Sequence, residues 1–483
     1  MKNYSKSLGI LLLLAAFAIL LHGYHPGVED DGVYLPAIKR HLNPQLYPHD
    51  FEFFTLQLQA TVFDKLIAGS IRVSHLPVGL GLLLWHFVSV FLLLWGCWQI
   101  SRRCFNEPHA QWAAVSTVAV LLTMPVAGTA LYLGDQYLHP RLLASAAILG
   151  AIVAILDRKY LLAAACLAIA FVIHPLMASF GISYCIFVAW KQRPQASAPL
   201  LALLFPLGWI FEPTSDAWRA AARTRDYYFL SNWQWYEWLG VFAPLVLLWW
   251  FRRLATRNGS TVVAQMTSRL VWYGMFQLVV ALIIMLPVSL ERLKPLQPMR
   301  YLHLLYLVFV LISGGLIGRH ILRTHVFRWL LFFVPLGLLM FYVQRQTFPA
   351  SPHLEFPGAV SQNAWIEAFA WIRQNTPMDS YFALDPFYKQ RPGEDFHSFR
   401  ALAERSALAD YVKDPSVATQ VPRLAPRWLE EVTAQEGWPH FQAADFQRLK
   451  NRFGVNWVVL QNMSPPGMNC PYHNELLRVC RIE

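Results

Sequence analysis

Three adjacent carboxylates, Glu29-Asp30-Asp31, stand directly after the first apolar segment of the chain. A carboxylate that is partly desolvated at a membrane–water boundary can act as a general base or a metal ligand. Adjacent carboxylates also raise one another's pKa, so one of the three is expected to hold a proton near neutral pH. A second short stretch, Gly134-Asp135-Gln136-Tyr137-Leu138-His139-Pro140-Arg141, packs an acid, an imidazole and a guanidinium together. There Asp135 would face the first acids, and Arg141 would grip a phosphate bidentately. Each stretch also has a plainer reading: a helix end for the first, and a capping turn with Pro140 opening a helix for the second. Two features favour chemistry. The first acids lead into an amphipathic stretch, Tyr34 to Leu42, inside a loop too long for a plain connector. A charge at the edge of a spanning helix is also costly unless it is used or paired.

Further candidates lie down the chain. His174-Pro175 sits mid-way through an apolar stretch, where a histidine is either structural or a substrate contact. Arg219 and Arg223 share a helical face, Arg225 follows, and a dense aromatic run extends to Trp238. That run reads either as an interfacial aromatic belt or as an amphipathic helix on the outer leaflet, with rings free to stack on a sugar. Arg292, Lys294 and Arg300 are basic residues placed against the usual inside bias. A membrane-embedded anion such as a polyprenyl phosphate would need such partners.

The elements that must position these groups are membrane helices. The 483 residues are 56% hydrophobic and 14% charged, against about a quarter charged in soluble proteins. The formal charge of +11 is spread over short loops between apolar runs, the positive-inside pattern. It is not gathered on one element, which argues against nucleic acid. Met1 to Leu21 resembles a signal peptide, but it ends in Leu21-His22-Gly23-Tyr24 without a small-residue cleavage site and reads as an uncleaved first span. Spans are expected at about 8–24, 76–100, 111–131, a fourth ending at Asp157, two short ones meeting at His174, then 197–211, a span ending at Arg252, 266–288, one ending near Arg319, and 327–343. Every even-numbered end carries basic residues (Arg102, Arg158, Lys191, Arg252, Arg319), which puts Lys2 and Lys6 inside and residues 344–483 outside. The expected fold is therefore a polytopic α-helical membrane protein of about eleven spans. It would comprise a helical domain 1–343, with a long first outer loop at about 24–75, and a small extracytoplasmic α/β domain 344–483. In that tail a helix is expected over Trp365–Asn375 and another from Phe441 to Phe453, closed by Gly454, with strands near Tyr381, Val455 and Leu476. Cys470 and Cys480 flank the turn before the last strand; on the outer side they either pair or stand as unrelated thiols. Phosphate-binding glycine loops, zinc spacings and serine elbows are missing from the sequence, which argues against a cytosolic ATPase motor.

With these residues in place the chain resembles the GT-C glycosyltransferase superfamily, integral-membrane enzymes that use polyprenyl-phosphate sugar donors. The likeness rests on the acidic first outer loop, the second acid at Asp135, the bundle, and an outer α/β tail opening with Trp371-Ile372-Arg373-Gln374-Asn375-Thr376-Pro377. More narrowly, Tyr47-Pro48-His49-Asp50-Phe51, Pro140-Arg141-Leu142-Leu143, His174-Pro175 and Phe399-Arg400 through Arg405 and Asp410 look like a GT-C-like bacterial family of uncharacterised function.

The resemblance implies sugar transfer to an acceptor glycan, lipid or protein at the outer face of a bacterial inner membrane. Asp30 or Asp31 would be the base, with Glu29 and Asp135 beside them. Arg141 and Arg300 would hold the donor phosphate, with His139, His174, Arg292 and Arg223 as further substrate contacts. A divalent cation, Mg or Mn, could assist. The chain lacks the long outer-domain motif of oligosaccharyltransferases, which argues against peptide asparagine as acceptor. The rival readings are a transporter or flippase for a lipid-linked or anionic substrate, and a non-catalytic scaffold for envelope polysaccharide assembly.

Overall fold

The computed structural model describes residues 2–190, 213–257, 259–359, 361–391, 393, 395, 397–461 and 468–483. After α1 (Lys2–His22) the chain makes an outer arm of three helices, α2 (Asp31–Leu42), α3 (Glu52–Thr55) and α4 (Phe63–Ser74). The apolar helices α5 (Val78–Cys104), α6 (Pro108–Val120), α7 (Pro140–Leu156), α8 (Tyr160–Ile173) and α9 (Pro175–Ala189) follow. Beyond residue 212 come the short α10 (Asp216–Arg223) and the long α11 (Trp235–Arg257), α12 (Thr261–Met285), α13 (Tyr301–Ile317) and α14 (Val326–Thr347). Among the described residues six segments are long and apolar enough to cross a membrane, and α7, α8 and α9 are apolar but shorter. The expected seventh span, 197–211, lies outside the described residues, as do Lys191 and Arg193.

The expected third span departs from the structure. It ends at Val120 and not near residue 131, and its 13 residues reach roughly 20 Å, short of the ~30 Å hydrocarbon core. Composition alone suggested a span, but Pro125 and the left-handed residues Ala127 and Ala130 turn the chain. The apolar strip then folds on itself, Val126 N–H donating to Leu131 O at 2.8 Å and Gly134 N–H to Leu122 O at 2.6 Å. These bonds pair part of its backbone without a helix, as an apolar setting favours.

Of the six candidate spans the one that contains α13 is the most enclosed, whereas α14 keeps Leu330, Leu331, Leu338 and Leu339 on its outer surface, as a lipid-facing helix should. Glycines bring α13 against α6. A Cβ on Gly314 would lie 2.4 Å from Thr117 Oγ1, and one on Gly318 would lie 2.4 Å from Ala113 Cβ. Small residues permit this close backbone approach, the usual packing device of membrane helices.

The tail adds α15 (Ala364–Asn375), β1 (Tyr381–Ala383), α16 (Phe399–Ala403), β2 (Ser406–Ala407), α17 (Asp414–Gln420), α18 (Ala425–Ala434), α19 (Ala443–Phe453), β3 (Trp457–Gln461), β4 (Asn469–His473) and β5 (Leu477–Arg481). The strands form one mixed sheet in the order β2-β1-β3-β5-β4, parallel between β1 and its neighbours and antiparallel from β3 onward. Strand alternation sorts the side chains. Val459 faces Trp365, Phe369 and Ile372 of α15, while Val458 and Leu460 face Phe446 and Leu449 of α19. A Gln442–Asp445 capping box opens α19, and Gly454, at φ 81°, closes it. A disulfide joins Cys470 to Cys480 across β4 and β5.

The buried apolar residues of α17 and α18 lie outside those two sheet cores. Val417, Ala418, Trp428 and Val432 belong to the same apolar core as the outer arm and the bundle. The tail thereby places one of its turns directly above the acidic motif.

Candidate functional site

The acidic motif is held by its backbone. His25 N–H donates to Gln136 O at 2.8 Å, Tyr24 N–H to His353 O at 3.1 Å, and Ser398 N–H to Gly27 O at 2.8 Å. The first loop is thus tied to the Asp135 loop and to the tail. Gly27 sits at φ +87°, and a Cβ there would also meet Leu402 at 2.9 Å. This conformation aims its amide at Asp31 Oδ2, 2.7 Å away. Glu29 is left-handed as well, at φ 49°, a strained state for a non-glycine residue that persists only where the surroundings enforce it.

This frame splits the three acids. Glu29 and Asp30 line a cavity of about 1400 Å³; Asp31 is buried behind it at 2% exposure. Burial, reinforced by the charge of Asp30, pushes the Asp31 carboxyl up to about 7, against the pull of the Gly27 amide and Lys39. Asp31 is therefore the acid that keeps a proton near neutral pH. Asp30 goes the other way. Burial opposes its charge, but the Lys413 ammonium, then His139 and Arg141, outweigh that and hold it well below the usual carboxylate range.

Around Asp30 the groups are close. Lys413 Nζ lies 3.1 Å from Asp30 Oδ1 and pairs with Glu29 Oε2. Asp30 Oδ2 faces His139 Nε2 at 3.6 Å and Arg141 Nη2 at 3.8 Å. Asp135 Oδ2 lies 3.6 Å from Arg141 Nη2 and 3.8 Å from His139 Nδ1. His139 caps α7, its Nδ1 accepting from the Arg141 amide at 3.0 Å, while its Nε2 lies 3.3 Å from Arg141 Nη2 and on the side of Asp30. Pro140 opens α7 as expected of a capping turn, and the same turn also brings the three side chains together. Arg141 Nε and Nη1 are buried with no hydrogen-bond partner among the described residues.

The remaining candidates divide. His174, between α8 and α9, lines the cavity, with its ring 6.2 Å from that of His139. Arg300 and Arg292 line it too. Arg300 lies 6.0 Å from the Tyr227 ring, and its Nε is buried with no hydrogen-bond partner among the described residues. Arg223 does not join them: it is exposed at the end of α10, and Arg225 takes the place in the lining. Arg225 is held there through Val412 O. Of the neighbouring basic residues, Arg219 is 2.8 Å from Glu291, and Lys294 is 4.2 Å above the Phe229 ring. The aromatic run of this loop is only partly a belt. Trp235 and Tyr236 are exposed, but Trp218 and Tyr228 are buried and bond to Thr419 of α17. The hydrophobic core continues into the tail here, so the loop finds protein to cover its rings.

Lys413 is a lining residue that sequence reasoning missed, and Arg225 was noted there beside Arg219 and Arg223 without being assigned to the site. Lys413 stands in the phrase Asp410-Tyr411-Val412-Lys413-Asp414-Pro415, just downstream of the Arg400 motif. Asp410 Oδ1 accepts from the Val412 and Lys413 amides at 2.8 and 2.6 Å, and Arg400 Nη1 reaches Asp414 at 2.7 and 2.9 Å. The turn that carries the ammonium is therefore fixed by buried ion pairs.

The cavity lining is mixed. Beside the charged groups of the two loops it includes Phe171, Ile173, Phe180, Phe276, Val280 and Ile284 of α8, α9 and α12, with Ser179, Ser183 and Gln277 on the same helices. A divalent cation does not fit beside the acids. Among the described residues no group of three or more His, Cys, Asp or Glu side chains is placed to hold one, and Lys413 occupies the near oxygens of Glu29 and Asp30.

Fold and site together define a helical membrane protein with an amphipathic cavity roofed by its own tail. No protein-family model and no curated protein matches the chain. Among solved structures it is similar to the apo form of an oligosaccharyltransferase from Archaeoglobus fulgidus, at 11% identity and a TM-score of 0.48, over 94% of this chain and 69% of that one.

Proposed function

We propose that the protein transfers a sugar from a polyprenyl-phosphate donor to an acceptor hydroxyl at the outer face of a bacterial inner membrane, with its N-terminus inside and residues 344–483 outside. The observation that carries this reading is the cavity itself. Its lining joins charged groups around the half-buried Asp30 carboxylate to apolar side chains of the helices α8, α9 and α12. A lipid-linked phosphate likewise joins a charged group to an apolar chain. The volume exceeds the ~300–1,000 Å³ of ordinary small-molecule pockets.

In the proposed step the acceptor oxygen bonds to the sugar C1 as the C1–O bond to phosphate breaks. The bonding pair leaves with the polyprenyl phosphate, and the acceptor proton passes to Asp30 and then to water. Arg300 and Arg225, with Arg292, would hold the departing phosphate; Arg141 and His139 orient Asp30. Asp31 shapes the loop and touches no substrate.

The test is release of polyprenyl phosphate from a panel of polyprenyl-phosphate sugars by purified protein. Turnover that depends on Asp30 supports the proposal. Movement of donor across liposomes without turnover would overturn it in favour of a transporter.

A further inference from the structure

We infer that Lys413 fills, at this centre, the place a divalent cation takes between paired carboxylates, so that the site works without a metal. The inference deepens the transfer reading and rests on it only for the identity of the reaction.

The geometry is that of an internal counter-ion. One ammonium spans the carboxylates of two successive residues, Glu29 and Asp30. The far oxygen of Asp30 faces His139 and Arg141, and Asp135 faces the same arginine. Hard cations need several carboxylate or carbonyl oxygens at 2.0–2.6 Å, and these oxygens are already turned toward cationic or N–H groups. Charge points the same way. The cavity lining holds Arg141, Arg225, Arg292, Arg300 and Lys413 against Glu29, Asp30 and Asp135, so a dication would enter a site already positive. The lysine is also preset. Its amide is bonded to Asp410, whose other oxygen takes Lys389 at 2.6 Å, and the next residue, Asp414, is bonded to Arg400. Lys413 is thus placed before any substrate arrives, and it can hold Glu29 away from the acceptor while leaving Asp30 ionised.

The experiment is Mn²⁺ binding to the purified full chain, followed by electron paramagnetic resonance in the absence of donor. Wild type is expected to bind no stoichiometric Mn²⁺ up to about 1 mM, the weak end of carboxylate sites. Lys413→Gln frees two carboxylates and is expected to gain one site, at least about tenfold tighter than any wild-type binding. The site should vanish when Glu29→Gln and Asp30→Asn are added. Lys413→Arg, which keeps the charge, should bind none. One equivalent of Mn²⁺ on wild type, lost with Glu29→Gln and Asp30→Asn, would overturn the inference. So would a folded Lys413→Gln variant that gains no site. If that variant does not fold, the wild-type measurement alone decides. Because no arm measures transfer, a failed inference and a failed transfer reading remain separate results.

Discussion

Asp30 and Asp50 belong to the same outer arm, and each meets an arginine and a group from the tail, yet they sit in opposite kinds of site. The Asp50 side chain is fully buried; that of Asp30 is 39% exposed. Arg400, the partner of Asp50, has its guanidinium filled by Asp50, by both oxygens of Asp414 and by Ala407 O at 3.1 Å. Arg141, the partner of Asp30, leaves Nε and Nη1 without partners among the described residues, beside a cavity it lines. Carboxylate and guanidinium are used once to lock the tail onto the arm and once to leave capacity for something else. What separates scaffold from site is unused hydrogen-bonding power next to open space, since residue type is the same in both.

The sharpest way to break this comparison is to neutralise each aspartate. Asp30→Asn should lower donor turnover by about 10²–10⁴-fold, the span of a general base, with little change in melting temperature. Cutting the other network should do the reverse. Arg400→Met strands Asp50 and Asp414 and should cost about 3–5 kcal/mol, read as a large drop in thermal stability in detergent. A smaller effect is expected from Arg300→Ala. It removes charged hydrogen bonds worth about 1.5–3 kcal/mol, so donor KM should rise about 10–100-fold while the melting temperature holds.

Asp31 offers a subtler test, through pH. Its folded pKa is raised from 3.8 to about 7, so the unfolded chain loses this proton first and wild-type stability falls as pH rises between these values. Asp31→Asn removes that slope. Its melting temperature relative to wild type should therefore climb from pH 4 to pH 7 and level off above. The least effect belongs to Arg223→Ala, where an exposed side chain outside the cavity should change stability by less than about 0.5 kcal/mol and leave turnover untouched.

Much of this was legible in the sequence because it follows from local periodicity. The apolar runs, the tail helix from Ala364 to Asn375, the Gly454 stop and the strands near Tyr381, Val455 and Leu476 are such features. The turn after Val120 was misread because hydropathy cannot see Pro125 and two left-handed alanines as the end of a helix. The site was half legible. Asp30, Asp135, His139 and Arg141 come from two short phrases on neighbouring loops, and Gly27 fixes which of the three acids turns inward. Lys413 was not legible, because it reaches Glu29 from the far end of the chain. Nothing in a single lysine between Val412 and Asp414 announces such a partner.

The most direct measurement is polyprenyl-phosphate release from a polyprenyl-phosphate sugar by wild type, Asp30→Asn and Asp31→Asn side by side. The account predicts turnover in wild type, its near-complete loss in Asp30→Asn, and retention within about tenfold in Asp31→Asn. Turnover that survives Asp30→Asn in a folded protein, or that is lost only in Asp31→Asn, would contradict it.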